Sequence, residues 1–179
     1  MYTKNAINNL SQINFIGLGI DISIKKNRKN LQDIFVRPFF ELADFSYNKN
    51  SNKERKSLAF GTKSKIIDYK TLLSLSDRIV ILGNPGAGKS VLIKSLICDI
   101  LQKRLNEFKN KTVCDFVPFR IELRNYLAFK KEHKGNLIKY LIFILEHEYQ
   151  ITNITETILS SILNNKSLLF FDGLDEYST

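Results

Sequence analysis

The octapeptide GNPGAGKS, residues 83–90, constrains this chain more than any other stretch. It matches G-x-x-x-x-G-K-[ST] at every fixed position and separates two segments of different periodicity. Before it, RIVIL (78–82) is a short, β-branched apolar run ending at a glycine, which predicts a buried parallel strand. After it, Leu92, Ile93, Leu96, Ile97, Ile100, Leu101, Leu105 and Phe108 recur at a 3.6-residue period. Lys94, Ser95, Asp99, Gln102 and Lys103 fall between them, so the segment predicts an amphipathic helix. Residue frequencies allow roughly one chance match per 10⁴ windows, and a strand before and a helix after make coincidence rarer still.

The chemistry of such a loop is phosphate binding. Gly83, Gly86 and Gly88 let the backbone curl without Cβ clashes, so that successive N–H groups and the helix N-terminus face phosphate oxygens. Asn84 and Ala87 complete the cradle, and Pro85 stiffens it without offering an N–H. Lys89 adds a charge at the β and γ phosphates, and the Ser90 hydroxyl suits Mg²⁺.

The elements that follow predict an α/β fold. DFVPFRIEL (115–123) alternates Phe119, Ile121 and Leu123 with Arg120, Glu122 and Arg124, the signature of a strand. A buried helix is expected over 136–149, and a shorter one from Asn153, an N-cap with Glu156 three residues on, to about 164–166. SLLFF is then a third apolar strand ending at Asp172. Strand, helix, strand, helices, strand implies a parallel sheet with helical crossovers.

The N-terminal part is less periodic. Gly17 and Gly19 break any long helix before residue 30, DIFVRPFFEL (33–42) reads as extended, and Pro38 demotes it to an edge or isolated strand. SYNKNSNKERKS (46–57) reads as a loop. The organisation expected is an arm and linker over 1–76 leading into a single nucleotide-binding domain over 77–179.

Charge bears on partners. The first 80 residues carry 14 Lys/Arg against 7 Asp/Glu, and the rest 13 against 11, so the net +9 lies mainly in the arm. Its lysines are interleaved with Asn and Ser, which favours a solvated face over a nucleic-acid footprint. Cys98 and Cys114 stand outside any CxxC or Cys/His cluster, indicating neither a disulfide framework nor zinc and pointing to a reducing, cytoplasmic setting. The most apolar run, LIKYLIFIL (137–145), falls far short of the ~20 residues that span a bilayer, so no membrane insertion is expected.

A second motif completes the candidate site. Asp172 ends an apolar strand, where an unpaired carboxylate is costly, and beside a phosphate loop such an Asp holds Mg²⁺ through water or Ser90. Gly173 turns the chain, and Asp175 and Glu176 follow as candidates for polarising the attacking water. GNPGAGKS paired with LLFFDGLDE resembles the NACHT family of STAND-class P-loop NTPases, whose second motif is an apolar run followed by Asp-Gly-x-Asp-Glu. VPFRIELRNY resembles that family's intermediate strand, and DIFVRPF the segment preceding its nucleotide domain.

That resemblance implies a three-layer α/β/α P-loop sheet, with residues 83–90 as Walker A and Asp172 in Walker B. It implies ATP/ADP and Mg²⁺ as cofactors, with Ser90 and Asp172 serving the metal and Asp175 and Glu176 supporting hydrolysis. It further implies a nucleotide-controlled switch in innate immunity, cell-death signalling or antiviral defence that self-oligomerises when full length. Complete relatives continue beyond the acidic motif, so the chain is expected to be truncated after the Walker B strand, with hydrolysis weak or absent. Two other readings compete: an AAA+-like P-loop ATPase acting on nucleic acid, and a non-enzymatic binding fragment acting through an exposed sheet edge. Gly173 disfavours the first, because such ATPases commonly place Glu directly after the metal-binding Asp. The chain holds neither the NKxD of GTPases nor the LSGGQ of ABC ATPases.

Overall fold

A computed structural model of the chain describes residues 1–11, 31, 35–42, 65–69, 71–105 and 115–174. Asp175, Glu176, Phe108, Cys114, Gly17, Gly19 and the 46–57 loop lie outside the described residues. Packing groups the chain into two units, Met1–Phe35 with Val80–Thr179, and Val36–Ile79.

The first unit is mixed α/β around a small parallel sheet. Its described elements are α1 (Tyr2–Leu10), α2 (Lys89–Leu101), β3 (Val117–Glu122), α3 (Leu123–His133), α4 (Leu137–His147), α5 (Glu156–Asn165) and β4 (Ser167–Asp172). Strands β3 and β4 pair in parallel from Val117↔Ser167 to Glu122↔Asp172. Period-2 alternation in β3 turns Phe119 and Ile121 into a core with Tyr140, Leu141, Ile144, Leu145 and Leu159 from α4 and α5. Phe170 of β4 packs instead on the cluster formed by Leu10 of α1 with Ile97 and Cys98 of α2, while Leu101 of α2 touches both clusters. Burial of each such large apolar side chain contributes about 1.5–3 kcal/mol.

Helix α2 begins where its periodicity predicts but ends at Leu101, short of the Leu105 included in that period, and it is enclosed more fully. Ser95 and Asp99, expected on a polar face, are buried with Leu92, Leu96, Ile97, Cys98 and Ile100. Helix α1, in a region with only a weak sequence signal, packs on both α2 and the sheet: Leu10 meets Ile97 and Cys98, and Ala6 joins Phe119 and Ile121. It is anchored through side chains: the Tyr2 hydroxyl donates to the Pro118 carbonyl, Asn5 Nδ2 to Tyr149 O at 2.7 Å and Asn9 Nδ2 to Glu148 O at 2.7 Å. The helix ends at Leu101, with Lys103 at φ +56°, and Leu105 is buried just beyond it.

Residues 78–82 correct the sequence-based expectation of a buried parallel strand: they form no strand. Val80 is 73% and Leu82 62% exposed. A strand exists by exchanging N–H and C=O bonds with a neighbour, and among the described residues β4 pairs only with β3. The apolar run therefore has no ladder to join. The strand predicted at 167–171 is present and runs on through Asp172, but Leu169 and Phe171 are half-exposed rather than buried.

Two boundaries also differ. The strand predicted to reach Leu123 stops at Glu122, which N-caps α3. Helix α3 has no fully buried residue, so its apolar signal is weak, although Lys130, Lys131 and His133 in its last turn complement the helix dipole. Helix α4 starts as predicted, with Asn136 Oδ1 accepting from Lys139 N at 3.0 Å. Helix α5 is capped by Thr155 rather than Asn153: Thr155 Oγ1 accepts from Ile158 N at 3.3 Å, whereas Asn153 sits at φ +67°, outside the extended region an N-cap adopts. Thr155→Ala is expected to cost about 1 kcal/mol, while Asn153→Gly, at a left-handed position, is expected to be neutral or stabilising. Urea denaturation of the two variants checks this, and a larger loss at Asn153 would reassign the cap.

The second unit, taken alone, is an antiparallel pair. Strands β1 (Phe39–Glu41) and β2 (Ile66–Asp68) register Phe39↔Asp68 to Glu41↔Ile66. The first strand begins immediately after Pro38, where the missing N–H costs no ladder bond. Ile67, Tyr69 and Leu72 are buried, and the Arg37 guanidinium lies 5.6 Å from the Tyr69 ring centre.

Candidate functional site

The loop of residues 83–90 is shaped by its glycines. Gly86 has φ +79° and Gly88 φ +83°, a left-handed backbone that a side chain strains, and a Cβ at either would meet open space. Conformation, not crowding, therefore requires glycine there. Ala87 N donates to Asn84 O at 3.1 Å to close the turn, and Leu92 N donates to Gly88 O at 2.8 Å as α2 begins. No side chain caps this helix start, which is the arrangement that leaves a helix N-terminus open to an anion.

Lys89 turns its ammonium over the loop, donating to Gly83 O at 2.8 Å and Asn84 O at 3.3 Å. These carbonyls hold the charge where a phosphate oxygen would compete for it. One residue on, Ser90 Oγ donates to Asp172 Oδ1 at 2.8 Å, bridging 82 positions of sequence. Ser90 and Asp172, proposed from sequence to act together, are thus in direct contact. That bond sets the C-terminal end of β4 beside the start of α2, and Asp172 is 7% exposed. Gly173 follows with φ +85°, the turn expected of it.

One partner of Asp172 escaped the sequence reading. Arg120 donates Nε at 3.2 Å and Nη2 at 2.6 Å to Asp172 Oδ2. Its Nη1 donates to Glu122 Oε1, and Glu122 Oε2 accepts from Asn125 Nδ2 at 2.9 Å. The alternation in FRIEL puts Arg120 and Glu122 on one face of β3, a signal available in the sequence. Which strand and which register that face would meet are not local properties.

Beyond Arg120 lies a polar cavity of about 100 Å³ lined by Lys94, Glu122, Asn125, Tyr140 and Glu148, among others. Burial, then repulsion from Arg120, holds the Lys94 ammonium below the usual lysine range, with Glu122 and Asp172 opposing. Burial, then Glu122, raises the Glu148 carboxyl. Burial lifts the Cys98 thiol to about 11, so the residue acts as packing rather than as a nucleophile.

The donor set fits Mg²⁺. Ser90 Oγ and one carboxylate oxygen are hard ligands, and Mg²⁺ typically takes one or two protein oxygens and completes its shell with phosphates and water. Among the described residues no cluster of three or more His, Cys, Asp or Glu could hold a metal without such help. No described helix is long and apolar enough to cross a membrane. No family model, curated protein or solved structure matches the chain.

Proposed function

We propose that this chain is the Mg²⁺-dependent ATP/ADP-binding module of a NACHT-type STAND signalling ATPase, a P-loop NTPase of three-layer α/β/α type. The observation that carries the reading is the Ser90–Asp172 hydrogen bond, because it joins the end of the glycine-rich loop to the strand-end carboxylate of the second motif. A glycine-rich turn without a ligand has no need of that second partner.

In this reading the N–H groups of the loop and of the first turn of α2 bind the phosphates. Lys89 exchanges its loop carbonyls for phosphate oxygens. Ser90 and Asp172 present oxygens to Mg²⁺, which when bound neutralises phosphate charge and orients the β and γ groups. Asp175 and Glu176 are assigned to the hydrolytic step by resemblance to the family. Cytoplasmic operation, self-oligomerisation through the nucleotide module in a longer protein, and a role in innate immunity or antiviral defence belong to the same proposal.

The test is a titration of fluorescent ATP, ADP and GTP against the chain, with Mg²⁺ and with EDTA. Adenine nucleotides are expected to bind, and Mg²⁺ to tighten that binding. Absence of nucleotide binding in both conditions would sink the reading.

A further inference from the structure

We propose that Arg120 is the positioning residue of the Ser90–Asp172 pair, and that the tightening of nucleotide binding by Mg²⁺ depends on its guanidinium. The inference rests on the nucleotide-binding reading and adds to it a residue outside both sequence motifs.

The geometry divides the carboxylate between two donors. Ser90 takes only Oδ1, at 2.8 Å, while both Arg120 bonds go to Oδ2, at 3.2 and 2.6 Å. With Oδ2 gripped from two nitrogens, the carboxylate plane is set and Oδ1 is aimed at the end of the loop. Arg120 faces Phe170 in the ladder and reaches Asp172 diagonally, two residues further along the neighbouring strand. Its third contact, to Glu122, and the Asn125 bond behind Glu122 hold the guanidinium from the other side. The Arg120 side chain is only 14% exposed, so this grip is enclosed rather than a loose surface pair. The role requires a planar fork: a lysine ammonium supplies charge but not two aligned N–H groups on one oxygen together with a third on Glu122.

Dissociation constants for ADP and ATP, with Mg²⁺ and with EDTA, are to be measured for the wild type, Arg120→Met, Arg120→Lys and Glu122→Gln, with thermal melting of each. Partners that orient metal ligands typically contribute 10–100-fold, so Arg120→Met is expected to lose about tenfold in Mg²⁺ while staying within about twofold of wild type in EDTA. Arg120→Lys is expected not to restore the loss. Glu122→Gln, which loosens the grip without removing it, is expected to lose about threefold in Mg²⁺ alone, and it carries the test if Arg120→Met does not melt cooperatively.

Four results would overturn the assignment: an unchanged Mg²⁺ effect in Arg120→Met, an equal loss in EDTA, which marks a merely structural residue, full rescue by lysine, or an unchanged Mg²⁺ effect in Glu122→Gln. A wild type that binds nucleotide in EDTA but gains nothing from Mg²⁺ overturns this inference alone. A wild type that binds in neither condition overturns the nucleotide reading with it.

Discussion

Lys89→Ala is expected to weaken ATP and ADP binding at least about 100-fold, since contacts between charged groups contribute about 1.5–3 kcal/mol each and every 1.4 kcal/mol is tenfold. Two effects combine. The ammonium that would meet the phosphates is gone, and so are its bonds to Gly83 O and Asn84 O, which hold the two ends of the loop together. The variant is expected to fold normally, because these bonds lie at an exposed loop rather than in the core. Fluorescent-nucleotide titration beside far-ultraviolet circular dichroism measures both. A Kd within about threefold of wild type would remove Lys89 from the binding machinery, because that is less than one charged contact contributes.

Asp172→Ala is expected to destabilise the first unit by about 3 kcal/mol, at the lower end of the range for breaking a buried ion pair. Arg120 would keep only Glu122, which is itself partly exposed, and Ser90 would lose its acceptor. Against a typical domain stability of ~5–15 kcal/mol the change is large, and the urea midpoint is expected to fall accordingly. Asp172→Asn keeps an oxygen for Arg120 and is expected to cost less. Both variants are expected to lose the Mg²⁺ enhancement of nucleotide binding. Equal stability of wild type and Asp172→Ala would show that the Arg120 contact adds nothing to folding.

The parts of the fold legible in the sequence are those whose cause is local. The 3.6-residue period of α2, the apolar stretch of α4 and the apolar run of β4 needed no partner to be recognised. Where the reading failed, something distant intervened. Ser95 and Asp99, polar residues spaced between apolar ones, are buried by the tertiary packing of α2, and nothing in their own neighbourhood announces that. Residues 78–82 have a strand's composition and no strand's partner. Asn153 has a cap's composition, but its backbone is left-handed and the cap passes to Thr155.

The candidate site divides along the same line. Local chemistry alone dictates the loop: positive φ at Gly86 and Gly88, a lysine and a serine at a helix start, and an aspartate closing an apolar strand. These follow from residue type and spacing, because backbone sterics and helix ends act over a few positions. Tertiary packing was needed to bring Ser90 to Asp172, to pair β3 with β4 in the register that puts Arg120 and Asp172 on one face of the sheet, and so to make Arg120 the partner of Asp172. Strand register joins Arg120 to Asp172 across 52 positions, helix-on-sheet packing joins Ser90 to Asp172 across 82, and a register shift of one residue would turn Arg120 to the opposite face.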